Sequence, residues 1–150
     1  GSYASFWYMS LHTLPEKKNL DYANHPSDTA LAIKHAVKLC KARGIKTELV
    51  IWQVPLWING GKVYDDFNKI PRDDQAIYDM VKATVEWFGE DVDYYGIFHE
   101  ANHPKYWDGN WDELMDLFIQ PATRAIRDYE KETGDKKVIS TAGLSPSRNC

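Results

Sequence analysis

Short apolar runs alternate along this chain with longer segments in which apolar residues recur every three or four positions. Residues 4–12 (ASFWYMSLH) and 47–54 (TELVIWQV) are runs of strand length. The second is nearly continuous, as expected for a strand covered on both faces. Residues 93–100 and 137–142 are predicted as two further strands. The pattern therefore predicts four strands.

Helical periodicity fills each interval between these strands. Asp28 is predicted to cap a first helix, and Gly44 fits its C-terminal stop. Residues 72–88 form a second helix with apolar residues at spacings of four, four and three. The third helix starts near Asn110 and ends at Gly134.

The third helix carries two local signals. Asn110 and Glu113 have the spacing of a capping box, in which each side chain bonds the other residue's backbone N–H. Pro121 lies inside the helix and is expected to kink it, because proline removes a backbone donor.

The order β-α-β-α-β-α-β favours a parallel sheet with right-handed crossovers. Loops that follow strands are long and loops that follow helices are short, which is typical of a (β/α) barrel whose active face is built from the βα loops. A doubly wound open sheet is the competing architecture, since four strands alone do not exclude it. No glycine-rich first βα turn is present, which weighs against the nucleotide-binding version.

Chain length limits how much of a barrel is present. A closed eight-stranded barrel needs about 200 residues or more, and this chain has 150. We therefore predict one α/β domain over residues 1–150, a partial (β/α)8 TIM barrel with about four parallel strands and three helices.

Composition and charge limit the classes of partner that the chain is expected to bind. The chain is 43% hydrophobic and 27% charged, which is typical of one globular domain. Its formal net charge is −4 and its 18 Lys and Arg residues are scattered, which argues against a nucleic-acid surface or an anionic membrane. The longest apolar runs, such as residues 49–52, are far short of the roughly 20 residues that span a bilayer.

Metal and redox chemistry have little support. Cys40 falls on the first helix and Cys150 ends the sequence. The sequence allows a disulfide between them but does not support one, and a buried free thiol at Cys40 is the simpler interpretation. No CxxC, HExxH, GxGxxG or P-loop pattern occurs, so we expect no metal and no cofactor.

Aromatic residues are frequent near the predicted strand ends. The chain has six Trp and nine Tyr, and flat rings with a polar edge suit sugars. His12 ends the first predicted strand, Trp52 and Gln53 close the second, and Trp57 follows in its loop. Each Trp can equally be a packing residue, and Trp7 is assigned to packing.

The stretch YYGIFHEANHPKYW, residues 94–107, passes directly from an apolar strand to His99 and Glu100. A carboxyl group at the rim of a parallel sheet, among aromatic rings, is where a general acid is expected. A surface salt bridge is the simpler alternative.

This stretch and the helix after it resemble the retaining glycoside hydrolases with (β/α)8 barrels, the clan of cellulases, xylosidases and mannanases. Their usual pattern is an apolar strand ending in Asn-Glu-Pro-Asn. The resemblance implies that Glu100 is the general acid/base and that Asn102 is the final Asn. His99 and Ala101 replace the usual Asn and Pro. Phe-His-Glu-x-Asn is similar to the mannanase-like branch, and residues 102–107 are similar to the xylosidase-like branch.

The resemblance also implies a β-linked polysaccharide or oligosaccharide as substrate, no cofactor, and export from the cell. Retaining hydrolysis uses two carboxyl groups about 5–5.5 Å apart. In this clan the nucleophile is a Glu on the seventh strand, and the four predicted strands would be the second to the fifth. Glu48, Asp65 and Asp66 are unconvincing substitutes, so we expect the chain alone to be inactive. Substrate contacts are predicted at His99, Asn102, Trp57, Trp107, His12, Trp52 and Gln53.

Two alternatives remain. The chain is a non-catalytic carbohydrate-binding relative of the barrel, or it is a half-barrel that assembles with a second chain or with itself. The second alternative follows from the exposed edges of its outer strands, whose unpaired N–H and C=O groups seek partners.

Overall fold

A computed structural model describes residues 2–141, which form one four-stranded parallel sheet. Its strands are β1 (Tyr3–Met9), β2 (Lys46–Trp52), β3 (Tyr94–Ile97) and β4 (Val138–Thr141). They lie side by side in the order β1-β2-β3-β4, and every neighbouring pair is parallel. The predicted α/β class with a parallel sheet is confirmed.

Three long helical segments connect the strands, as predicted. Among the described residues, the helices are α1 (Ser10–Thr13), α2 (Asp28–Ala42), α3 (Leu56–Asn59), α4 (Asp74–Phe88), α5 (Trp111–Leu114) and α6 (Gln120–Thr133). A π-helical turn, Met115–Ile119, joins α5 to α6, and 3₁₀ turns lie at Lys17–Leu20, Tyr64–Asn68 and Gly89–Asp91. None of these helices is long and apolar enough to cross a bilayer.

The start of α2 differs by one residue from the prediction. Ser27, rather than Asp28, is the cap: its Oγ accepts from the Ala30 N–H at 3.1 Å and donates to the Thr13 carbonyl at 2.7 Å. Asp28 occupies the first turn. Both residues are short and polar, so local sequence does not separate them. The bond to Thr13, which is remote in sequence, favours Ser27.

The third helix keeps its predicted capping box. The Asn110 Oδ1 accepts from the Glu113 N–H at 2.8 Å, and the Glu113 carboxylate accepts from the Asn110 N–H at 3.1 Å. The departure from regular α-helix falls in the turn before Pro121, where the Gln120 N–H donates to the Met115 carbonyl. This five-residue spacing adapts the helix to a residue with no N–H of its own.

The two faces of the sheet have different surroundings. Tyr8, Leu49, Ile51 and Tyr95 are buried on the face that the helices cover. On the other face Tyr3, Trp7 and Val138 are 53–57% exposed. We call this second face the open face. The prediction that β2 is covered on both sides is therefore wrong among the described residues, because α2, α4 and α6 all pack on one side.

A chain of buried hydroxyl groups ties the covered face to α4. The Thr84 hydroxyl donates its proton to the Met80 carbonyl at 2.8 Å, so it must accept from Tyr22, whose hydroxyl is 2.8 Å away. Tyr22 in turn accepts from Tyr8 at 2.7 Å. Burial raises the pKa of Tyr22 to about 12 from 10.0. The network fixes the loop that carries Tyr22 between β1 and α4.

Replacing Tyr22 by Phe is expected to lower the free energy of unfolding by about 1–3 kcal/mol at pH 7, because it leaves the buried Tyr8 hydroxyl without its acceptor. Because the pKa of Tyr22 is raised in the folded chain, the contribution of its protonated hydroxyl to stability is complete below pH 10. This contribution is lost between pH 10 and about 12, where Tyr22 ionises more readily in the unfolded chain than in the folded one. Urea unfolding should therefore show the difference between wild type and Tyr22→Phe shrinking across that interval. A constant difference would contradict this role of Tyr22.

Candidate functional site

Backbone strain concentrates where the strands end. Among the described residues, the non-glycine residues with positive φ are Gln53 (69°), Phe98 (73°) and Glu100 (46°). Gln53 directly follows β2, and the other two follow β3. Each such conformation raises the free energy of the fold by about 1–3 kcal/mol, and such residues cluster at functional sites. Because parallel strands end at a common edge, these residues mark one region of the surface.

Phe98 changes the direction of the chain at this edge. Its N–H continues the ladder by donating to the Ile51 carbonyl at 2.8 Å. Its ring lies on the helical side, edge-on to Phe118 at 4.9 Å and to Trp107 at 5.6 Å. The predicted strand over residues 93–100 therefore ends at Ile97, because the left-handed turn at Phe98 interrupts the alternation of side chains.

His99 consequently lies on the open-face side, within a group of aromatic rings. Its ring centroid is 4.5 Å from Trp7, 5.0 Å from Trp52 and 5.7 Å from Tyr106. We call Trp7, Trp52, His99 and Tyr106 the aromatic cluster. The assignment of Trp7 to packing is corrected here, since Trp7 is half-exposed and contacts His99. Strand alternation offered the signal: if Tyr8 faces the helices, Trp7 must face the other way.

Glu100 lies beside this cluster. Its Oε2 is 3.9 Å from the Nε2 of His99, which is within ion-pair range if the imidazole is protonated but too long for a hydrogen bond. About a quarter of the Glu100 side chain is exposed, so the carboxyl group is accessible. The Glu100 carbonyl accepts from the His103 N–H at 2.9 Å, which fixes the turn that follows.

Glu48 also points to the open face, but it lies at the far end of β2. Its carboxylate accepts from the Ser5 hydroxyl at 2.9 Å. Four residues separate it from Trp52, which corresponds to about 13 Å at about 3.3 Å per strand residue. This separation is well beyond the distance at which two carboxyl groups act on one bond.

Asp66 is committed to its own loop. Its carboxylate accepts from the backbone N–H groups of Lys62 at 2.7 Å and Val63 at 3.2 Å, and it pairs with Lys69. These two backbone donors, followed by Lys69, hold the pKa of Asp66 below its ordinary value. The carboxylate therefore stabilises the turn after α3.

Two predicted substrate contacts join the loops at the strand ends. Gln53 is buried, and its Oε1 accepts from the Leu11 N–H at 3.2 Å, which links the ends of β1 and β2. His12 lies in α1 rather than at the end of a strand, and its Nε2 is 3.2 Å from the hydroxyl of Tyr64. Its exposed ring is adjacent to Tyr64, which is also exposed.

The two predicted platforms lie outside the aromatic cluster. The Trp57 indole N–H donates to the Leu14 carbonyl at 2.9 Å, and its ring lines a separate cleft. Trp107 is only 3% exposed, and its indole N–H donates to the Asn110 carbonyl at 3.1 Å. Asn102 lies near Trp107, along a cleft beside it.

Trp52 belongs to the cluster but is 4% exposed. No acceptor among residues 2–141 lies within hydrogen-bonding distance of its buried Nε1.

Within residues 2–141, no group of three or more His, Cys, Asp and Glu side chains is arranged to hold a metal ion. Cys40 is a half-buried free thiol on α2, and Cys150 lies outside the described residues. The site is thus a carboxyl group, an imidazole and three large rings at one edge of the sheet. No protein-family model and no curated protein matches this chain.

Replacing Glu100 by Gly is expected to raise the free energy of unfolding by about 0.5–1 kcal/mol, because glycine adopts a positive φ without strain. The matched control is Glu86→Gly in α4, which should lower it by about 1 kcal/mol, since glycine is unfavourable within a helix. Urea denaturation measures both. Equal losses in the two variants would contradict the strain at Glu100.

Proposed function

We propose that this chain is the acid/base-bearing part of a retaining glycoside hydrolase that acts on β-linked saccharides, with Glu100 as the general acid/base. The observation that supports this most directly is the accessible Glu100 carboxyl group, held 3.9 Å from His99 beside the aromatic cluster. A sugar presents apolar C–H faces and hydroxyl groups, and this arrangement offers rings and polar groups side by side.

In the proposed reaction, the protonated Glu100 donates to the glycosidic oxygen as the bond to the anomeric carbon breaks. A second carboxylate forms the glycosyl ester, and Glu100 then takes a proton from the water that hydrolyses it. His99 and Asn102 would hold sugar hydroxyl groups. This chemistry requires two carboxyl groups and no metal or organic cofactor.

The order of the strands supports a partial (β/α)8 barrel. A doubly wound sheet reverses its strand order at a switch point, whereas these strands follow one another in chain order. The open face would become the barrel interior, which accounts for an exposed Trp7 next to His99. The four strands would correspond to the second to fifth of the family.

The nucleophile would come from outside residues 2–141. Glu48 is a carboxylate of β2 that points to the open face. Its distance from the strand ends excludes direct cooperation with Glu100. A carboxylate carried by a further strand would complete the pair.

Formate provides a test, because a small carboxylate can take the place of an absent nucleophile. Phenyl β-glycosides have a poor leaving group that needs a proton donor. We expect the purified chain to release phenol from them only when formate is added, and we expect Glu100→Gln to slow this release by about 100-fold or more. Glu48→Gln is the matched control and should react at the wild-type rate.

Three outcomes separate the hypotheses. Release that needs no formate and is abolished by Glu100→Gln would show that this chain supplies its own nucleophile. Formate-dependent release that Glu100→Gln leaves unchanged would contradict the role of Glu100. Saccharide binding measured by calorimetry, without release, would favour the non-catalytic carbohydrate-binding alternative.

The open face favours the second alternative, assembly with another copy. Parallel sheets are ordinarily covered on both faces, and β1 and β4 are the outer strands of this sheet. A second copy that pairs with both β1 and β4 would close the two sheets into one barrel, enclose Trp7 and Val138, and remove the free edges.

We expect the sedimentation coefficient of the chain to rise with protein concentration. Val138→Glu should abolish this rise, because it puts a charge on the open face. Val63→Glu is the control, since Val63 is as exposed but lies in a loop. A wild-type chain that stays monomeric at every concentration would argue against assembly through this face.

A further inference from the structure

The loop after Glu100 encloses a cleft of about 380 Å³ that lies outside the aromatic cluster. It begins at Ala101, passes Asn102 and the edge of Trp107, and ends at Asn110 and Trp111. Its volume falls within the range of about 300–1,000 Å³ of small-molecule sites. The cleft is therefore large enough to be a binding site.

Hydrogen bonds and close packing hold the walls of this cleft in place before any ligand binds. The Asp108 N–H donates to the Asn68 carbonyl at 2.8 Å, and the Asn68 side chain donates to the Pro104 carbonyl at 3.1 Å. A Cβ on Gly109 would lie 2.9 Å from the Trp107 Nε1, so only glycine permits this close approach. Such a loop can bind a ligand without first losing much conformational freedom.

Trp111 gives the cleft its chemical character. It is 56% exposed although it is the first residue of a helix, and it lines the cleft together with Asn102 and Asn110. An exposed rigid ring beside amide groups matches a ligand with an apolar face and hydroxyl groups. The seven described residues that line the cleft carry no charged side chain, which favours a neutral ligand.

We propose that this cleft binds a neutral sugar residue of the substrate on the leaving-group side, with Trp111 as its stacking platform. This inference rests on the proposed function. A general acid must face the oxygen of the leaving group, and the cleft begins one residue after Glu100. Trp111, rather than the buried Trp107, then determines how many sugar residues the site prefers.

Fluorine NMR tests the cleft directly. In protein labelled with 5-fluorotryptophan, Trp111→Phe identifies the Trp111 resonance. We expect that resonance to shift on titration with methyl β-glucoside, methyl β-xyloside or methyl β-mannoside. The Trp87 resonance is the internal control and should stay in place, because Trp87 is stacked on Tyr22 at 4.4 Å. A Trp111 resonance that stays in place with all three sugars would overturn the proposal.

Affinity across a length series separates this inference from the proposed function. Wild-type affinity should rise from disaccharide to hexasaccharide, and Trp111→Ala should flatten this rise and lose about tenfold in affinity for the longest ligand, equivalent to about 1.4 kcal/mol. Trp111→Tyr should restore the preference for length. Tyr3→Ala, an equally exposed ring at the opposite end of the sheet, should have no effect.

Different results would contradict the cleft proposal and the proposed function. If Trp111→Ala binds every length as the wild type does, the cleft proposal is wrong and the role of Glu100 stands. If formate-dependent release fails and the wild type binds no saccharide of any length, the proposed function fails and the cleft proposal fails with it.

Discussion

The anchoring of Phe98 is the constraint on which the site depends. Its N–H forms the last ladder bond to β2, while its ring packs against Phe118 in the helical layer. Phe98 makes both contacts with a positive φ of 73°. The next side chain, His99, is thereby directed to the open face, and Glu100 follows beside it. Core packing on one side of the sheet thus positions a polar pair on the other.

The site lies at the boundary between the packed and the open parts of the molecule. Trp52 is buried and Trp7 is half-exposed, yet their rings meet edge-on at 5.6 Å. Gln53 and His12, which stay predicted substrate contacts, also link neighbouring loops. Buried contacts therefore support a smaller set of accessible groups. In this set Glu100 and His99 supply a carboxyl group and an imidazole, and Trp7 supplies an accessible ring.

Backbone strain lies at the same boundary between the buried and the accessible residues. Positive φ values at Gln53, Phe98 and Glu100 fall where the chain leaves β2 and β3. The loop that follows is rigid, since Asn68 and Trp107 bind its backbone. The same rigidity leaves a cleft open next to Trp111, so one loop determines both the turn at Glu100 and the shape of the neighbouring surface.

Local pattern determined the four strands, the three main helices, their order and the Asn110–Glu113 cap, because periodicity and capping depend on residues close in sequence. The position of His99 and Glu100 at the end of the third strand was also predicted from sequence, since they follow directly from an apolar run. The side of the sheet on which each lies, the exposure of Trp7 and the burial of Trp107 depend on contacts between remote segments. Ser27 is likewise selected over Asp28 by a carbonyl fourteen residues away. Such contacts exist only after the chain has folded, so tertiary structure alone decided them.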